Sequence, residues 1–141
     1  MVEVPENVQK FYYPWEQFDA DVEKIARAVE ASGRNFKYVY GIPRGGWPLA
    51  VCLSHRMEIP IRAEDPFDPI INWGSRKQEH LETTFIVDDI ADTGKQLKPL
   101  KDRGYFIATL FYHRQSTFIP DIWIHEKKKE WIVYPWEKEP R

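Results

Sequence analysis

With 141 residues, 43% apolar and 30% charged, the chain has material for one globular domain built on a single central sheet with flanking helices. No run of about eighteen apolar residues occurs, so no membrane span is expected, and a formal charge of −2 gives no general attraction to nucleic acid or anionic lipid. The lone Cys52 cannot form an internal disulfide, and residues 1–6 lack the basic flank and apolar core of a secretory signal, so a cytoplasmic setting is expected.

In chain order, apolar Phe18, Val22, Ile25, Ala26 and Val29 recur every three or four positions over residues 16–31, as one face of a helix requires, and Gly33 ends it. Tyr38-Val39-Tyr40-Gly41-Ile42 reads as a strand, Pro43-Arg44-Gly45-Gly46 as a turn, and residues 47–57 as an apolar helix in which Cys52 is a small core residue. Further strands are predicted at 59–63, 84–88 and 106–112, with a helical stretch beginning at Gln96. Neither a repeat nor a linker interrupts this pattern, so residues 1–141 read as one domain. Such alternation predicts an α/β fold with a mainly parallel sheet and right-handed crossovers. Ligands of such sheets gather outside the carboxyl ends of the strands, where both glycine-bearing turns fall.

The richest stretch is Val87-Asp88-Asp89-Ile90-Ala91-Asp92-Thr93-Gly94-Lys95-Gln96-Leu97. Three acids at an apolar strand end are costly unless they hold hydroxyls, a cation or a proton. Thr93, Gly94, Lys95 and Gln96 are expected at the N-terminus of the following helix, where unpaired N–H groups and the positive dipole end favour an anion, and Gly94 would let backbone approach it closely. In the earlier turn, Arg44 offers a planar fork for phosphate oxygens beside Gly45 and Gly46.

The acidic stretch resembles the motif of the type I phosphoribosyltransferases: two acids, two further residues, then Asp-Thr-Gly. The Arg44-Gly45-Gly46 turn is similar to one that follows the first core strand of the 6-oxopurine members, and residues 121–124 and 131–137 resemble the base-covering hood of the bacterial xanthine-guanine and hypoxanthine enzymes. The resemblance implies the type I phosphoribosyltransferase fold, a mainly parallel sheet flanked by helices, with a small C-terminal hood from residues 115–141. It implies that Asp88 and Asp89 hold the ribose hydroxyls of 5-phosphoribosyl-1-pyrophosphate (PRPP), directly or through Mg²⁺. Thr93, Gly94, Lys95 and Gln96 would receive the 5′-phosphate, and Arg44 and Gly45 the pyrophosphate. A non-proline cis peptide is expected near Pro43-Arg44. Asp92 is the implied general base, Trp131 the ring that stacks on a purine, and Ile132 the residue whose carbonyl accepts from a purine amino group.

Three departures stand out. His113 occupies the place of a lysine that donates to the 6-oxygen, leaving the preferred base open. Gln96 replaces a usual Thr or Ser. Residues 65–79 occupy the place of the mobile catalytic loop without its usual Ser-Tyr pair, leaving Arg76 and Lys77 as candidates to close over pyrophosphate. His55, His80 and His125 have no metal-ligand spacing and are assigned no site, and residues 127–129 read as a solvated turn.

The implied activity is purine salvage: transfer of phosphoribosyl from PRPP to guanine, xanthine or hypoxanthine, giving a nucleoside monophosphate and pyrophosphate. The alternatives are a non-catalytic sensor of PRPP or a nucleotide, and a phosphoribosyltransferase for another base. The acidic balance argues against an RNA-binding regulator. Family resemblance and aromatics such as Trp47 and Trp73 imply a homo-oligomer, dimer or tetramer.

Overall fold

The computed structural model describes residues 8–138, so residues 1–6, weighed above for a leader, lie outside the described residues, as do 139–141. The elements run β1 (Lys10–Tyr12), α1 (Trp15–Ala31), β2 (Tyr38–Gly41), α2 (Trp47–Met57), α3 (Pro69–Asn72), α4 (Lys77–Thr83), β3 (Thr84–Ala91), α5 (Lys98–Asp102), β4 (Phe106–Tyr112), β5 (Ile122–Glu126) and β6 (Trp131–Val133). Four strands form an all-parallel sheet in the order β2-β3-β4-β5. The strand expected at 59–63 is reduced to one parallel bridge, Val39 with Ile61, outside β2. Pro60 supplies the reason: it has no N–H for a ladder, and only its carbonyl is used, by the Val39 N–H at 3.2 Å.

Both faces of this sheet are covered, as an all-parallel sheet requires. Val39, Phe85, Val87, Ala108 and Leu110 share a core with Val22, Ile25 and Val29 of α1 and Leu49 and Leu53 of α2. Tyr40, Ile42, Ile86 and Ile107 face a second core with Leu97, Leu100 and Tyr105. Successive residues thus alternate between two apolar layers, which is why these strands read as continuous hydrophobic runs. Cys52 packs against the first core, and burial pushes its thiol above the ordinary value, so it is a packing residue and not a nucleophile.

The chain leaves β2 toward the Ile61 side and returns as β3 on the other, so connections diverge between β2 and β3. That switch point opens a crevice at the carboxyl ends of the two strands. The turn after β2 and the acidic end of β3 both meet there.

The hood differs from expectation. Residues 121–124 do not cover the sheet; β5 extends it as the fourth strand, pairing Ala108 with Ile122 and Thr109 with Trp123. The small second sheet joins β6 to β1 from the other end of the chain, in parallel, with Lys10 opposite Trp131 and Tyr12 opposite Val133. The three residues of β6 need a partner strand for their backbone groups, and that partner comes from about 120 positions upstream, beyond the reach of local patterning.

Residues 62–83 are pinned to the β2 edge by a mostly buried guanidinium. Arg62 donates to Glu79 at 2.7 and 2.8 Å and to Glu64 at 2.9 Å, and lies over the Tyr38 ring at 4.5 Å. Arg62 holds the Glu79 carboxyl far below the usual range, at about 2. A depressed carboxylate stabilises the fold above its unfolded value, near pH ~4.3, and that contribution disappears as pH falls through the folded value. Glu79→Gln is therefore expected to cost about 1 to 2 kcal/mol at pH 7, discounted for the half-exposed Glu79 side chain. The difference in urea midpoint between the two proteins should shrink from about pH 4 downward and approach zero only below about pH 2.

Candidate active site

β3 runs through Ala91, three residues past its expected end, so Asp88 and Asp89 belong to the strand and not to the turn after it. Asp88 pairs with Thr109 and Ile90 with Phe111 in β4. The carboxylates satisfy neighbouring backbone donors: Asp89 N–H reaches Asp88 Oδ1 at 2.8 Å and Ile90 N–H reaches Asp89 Oδ1 at 2.8 Å. Asp88 is only 7% exposed. Burial, then the adjacent Asp89 charge, pushes its carboxyl well above the usual range, and burial raises Asp89 as well. Two acids enclosed together cannot both ionise cheaply, so the pair favours a cation or hydroxyl donors beside it.

A pocket of about 240 Å³ opens against this pair, lined by Gly45, Asp88, Asp89, Asp92, Thr93, Gly94 and Gln96, together with Pro43, Ile90, Ala91 and Leu97. Most of the expected donor-binding residues are thus brought to one crevice. Arg44 and Lys95 are exposed, do not line it and make no salt bridge among the described residues. The Pro43–Arg44 peptide is cis, as anticipated. Gly45 packs so closely under Asp89 that a Cβ there would fall on its carboxylate. If the crevice receives the phosphoribosyl donor that the resemblance implies, Gly45→Ala should displace Asp89 and raise the KM for that donor at least tenfold with a near-native melting temperature, measurable by initial rates and a thermal scan.

The turn after β3 corrects one expectation. α5 begins only at Lys98, because Pro99, with fixed φ and no N–H, is suited to the first helical turn and pins the start there. Thr93, Gly94, Lys95 and Gln96 therefore precede the helix, and their use to an anion lies in their own amides and not in a helix dipole. The N–H groups of Gly94 and Gln96 make no protein hydrogen bond among the described residues. Gly94 adopts φ 86°, a left-handed conformation that glycine tolerates. Its missing side chain leaves room for protein and not for a ligand, since a Cβ would press on the Thr117 backbone and the Ser116 hydroxyl. Thr117 N–H also bonds Thr93 C=O at 3.0 Å, so the turn after β4 buttresses the turn after β3.

Asp92 is half-exposed, and its Oδ1 accepts from His113 Nδ1 at 2.8 Å and from Gln115 Nε2 at 2.8 Å. Sequence reasoning missed Gln115; its position two residues past His113, in the turn at the carboxyl end of β4, was the available signal. Trp131 and Ile132 lie on β6 and do not line the acidic pocket. Ile132 instead lines a larger cavity of about 450 Å³, with Phe11, Phe111 and His125. Tyr134, just beyond β6, is buried with an unpartnered hydroxyl among the described residues, and burial followed by the charges of Asp89 and Asp88 raises its phenol. Arg76 is turned away to an ion pair with Glu64. Lys77 begins α4 and makes no salt bridge among the described residues; neither residue lines the acidic pocket.

His80 and His125 are each held by protein partners. Buried His80 is bonded on both ring nitrogens, to Tyr105 Oη at 2.7 Å and Glu64 C=O at 2.9 Å. His125 Nε2 meets the buried Asp21 at 2.7 Å, where Tyr13 also donates at 2.5 Å.

An all-parallel sheet with a paired-acid crevice at its switch point defines the class: this chain has the type I phosphoribosyltransferase fold. Its similarity extends to named members. It is 27% identical to the xanthine-guanine phosphoribosyltransferase of Cereibacter sphaeroides over 147 aligned residues, covering 90% of this chain and 86% of that one. Among solved structures, the purine phosphoribosyltransferase of Pyrococcus horikoshii superposes with a TM-score of 0.72 at 26% identity, covering 94% of this chain and 97% of that one. The Helicobacter pylori xanthine-guanine-hypoxanthine phosphoribosyltransferase gives 0.71 at 23% identity, covering 92% and 94%. No protein-family model matches the chain.

Proposed function

We propose that this protein transfers the 5-phosphoribosyl group of PRPP to a ring nitrogen of a 6-oxopurine, guanine, xanthine or hypoxanthine, releasing pyrophosphate. The observation that carries the reading is the crevice itself, where a buried acid pair, a third carboxylate and the unbonded N–H groups of Gly94 and Gln96 meet within one small pocket. Acids and free amides side by side suit a ligand with hydroxyls at one end and a phosphate at the other. The similarity to purine enzymes supports the choice of base.

In this reading Asp88 and Asp89 grip the ribose hydroxyls, the 93–96 turn takes the 5′-phosphate, and Arg44 with the Gly45 turn faces the pyrophosphate. The acid pair also fits Mg²⁺. No group of three or more His, Cys, Asp or Glu among the described residues could hold a metal by itself, and Mg²⁺ needs none, since it takes one or two carboxylates and completes its shell with water and substrate phosphates. Bound there, it would neutralise charge developing on the leaving group.

As the bond from the anomeric carbon to pyrophosphate breaks, the electron pair leaves with pyrophosphate and a purine nitrogen lone pair forms the new bond. The proton lost by the base goes to Asp92, whose Oδ2 carries no hydrogen bond among the described residues. The base roles that the resemblance gives Trp131 and Ile132 gain no support from the lining of this pocket. Purified protein incubated with PRPP, Mg²⁺ and hypoxanthine, guanine, xanthine, adenine, orotate or nicotinate should yield a nucleoside monophosphate only with the oxopurines, identified by mass. Product from orotate or nicotinate alone would replace the substrate, and donor binding without any product would mark a sensor.

A further inference from the structure

Among the described residues one buried side-chain oxygen has no hydrogen-bond partner, the hydroxyl of Tyr134 just beyond the hood strand β6. The residue is only 6% exposed, so that oxygen carries a desolvation cost with no compensating bond. Folded proteins seldom leave such a group orphaned, and one that persists needs a physical reason.

Neighbouring rings fix where the hydroxyl stands. The Tyr134 ring stacks on Trp136 at 5.0 Å and 12°, and meets Tyr13 and Phe111 edge-on at 6.0 and 5.9 Å. Phe111 pairs with Ile90 across β3 and β4, and the Ile90 N–H is bonded to Asp89 Oδ1 at 2.8 Å. The ring is thus clamped beside the strand that carries the acid pair, and only its O–H bond is left to turn. Beyond burial, the groups whose charge bears on the hydroxyl are Asp89 and Asp88 of β3, then Glu137 after β6 and the Tyr13 phenol. Two of these are engaged elsewhere: Glu137 accepts the Tyr134 N–H at 2.9 Å, and Tyr13 donates to Asp21 at 2.5 Å. The acid pair remains. A carboxylate has about four acceptor sites, and Asp88 and Asp89 each accept one backbone N–H.

We infer that Tyr134 is a positioning residue for the sugar-gripping acids, its hydroxyl reserved for the Asp89 carboxylate when the ribosyl donor and Mg²⁺ fill the crevice. The inference rests on the proposed phosphoribosyl transfer, in which that pair holds the ribose. A cation and sugar hydroxyls in front of Asp89 draw it into one orientation, and a donor behind it fixes that orientation. Tyr134 touches neither sugar nor base and takes part in no bond change. The hood, whose Trp131 and Ile132 do not line the acidic pocket, is connected to it through this residue behind the pocket wall.

Tyr134→Phe removes that oxygen and keeps the ring contacts. Calorimetric titration with PRPP and Mg²⁺, base omitted, should show Kd weakened about tenfold, the scale of one hydrogen bond to a charged group. A thermal scan of the unliganded variant should give a melting temperature equal to or above that of the wild type, since an unpartnered hydroxyl has been deleted. Initial rates should agree, with KM for PRPP raised and both kcat and the KM for the base close to wild type. An unchanged Kd overturns the inference and leaves the phosphoribosyl reading intact. So does a weakened Kd accompanied by a lowered melting temperature, which makes the hydroxyl part of the unliganded fold and not a reserve for the donor. Failure of wild type and variant alike to bind PRPP overturns both.

Discussion

Asp92→Asn is expected to bind PRPP normally and to lose about 10²- to 10⁴-fold in kcat, the usual loss when a positioned general base is removed. The substitution is nearly isosteric. Asparagine Oδ1 still accepts from His113 and Gln115, so the cross-connection between the turns after β3 and β4 survives and the melting temperature should stay close to that of the wild type. What vanishes is the carboxylate proposed to take the purine proton. Single-turnover kinetics with saturating donor isolate that step from product release. Retention of near-wild-type kcat would remove Asp92 from the chemistry and reduce it to a strut for His113.

Asp88→Asn should do two opposite things. Turnover should fall by about 10²-fold or more, since removing one preorganised electrostatic partner of a reacting ligand typically costs that much. The unliganded protein should meanwhile be more stable than the wild type at pH 7.5, because the neutral amide does not bear the cost of ionising a buried acid. The sign follows from the raised carboxyl. An acid held above its unfolded value stabilises the fold fully only below that unfolded value, near pH ~3.9, and the contribution is lost as pH rises through the folded value. Wild-type stability should therefore decline from about pH 4 upward through this group, and Asp88→Asn should lack that decline. Thermal melts across the range, with and without Mg²⁺ and PRPP, measure it: ligands should raise the wild-type midpoint and leave the variant almost unmoved. An Asp88→Asn protein less stable than wild type at pH 7.5 would show that the carboxyl stabilises the fold and is not held in reserve for a ligand.

Gly45 and Asp89 illustrate what pattern can and cannot reveal. Each was visible as a residue type suited to phosphate or sugar, on its own strand end, but only folding shows that one exists in its present form because of the other, the glycine leaving space for the carboxylate. Gly94 was visible too, for a different reason from the true one: its positive φ and bare Cα serve the Ser116–Thr117 turn and not a ligand. The hood was the least legible part. β6 is three residues long, and no local signal names β1 as its partner or moves β5 into the main sheet.

Local chemistry in the chain determined the two-layered parallel strands, the helices at 16–31 and 47–57 within a residue of their ends, and the acids and glycines of the crevice. Hydrophobic period and turn residues act over a few positions, so a sequence can state them outright. Tertiary structure alone decided which turn braces which and that Asp92 is held by His113 and Gln115. These contacts join residues some twenty or more positions apart or hinge on a fraction of an ångström, and only the packing of the sheet brings such atoms together.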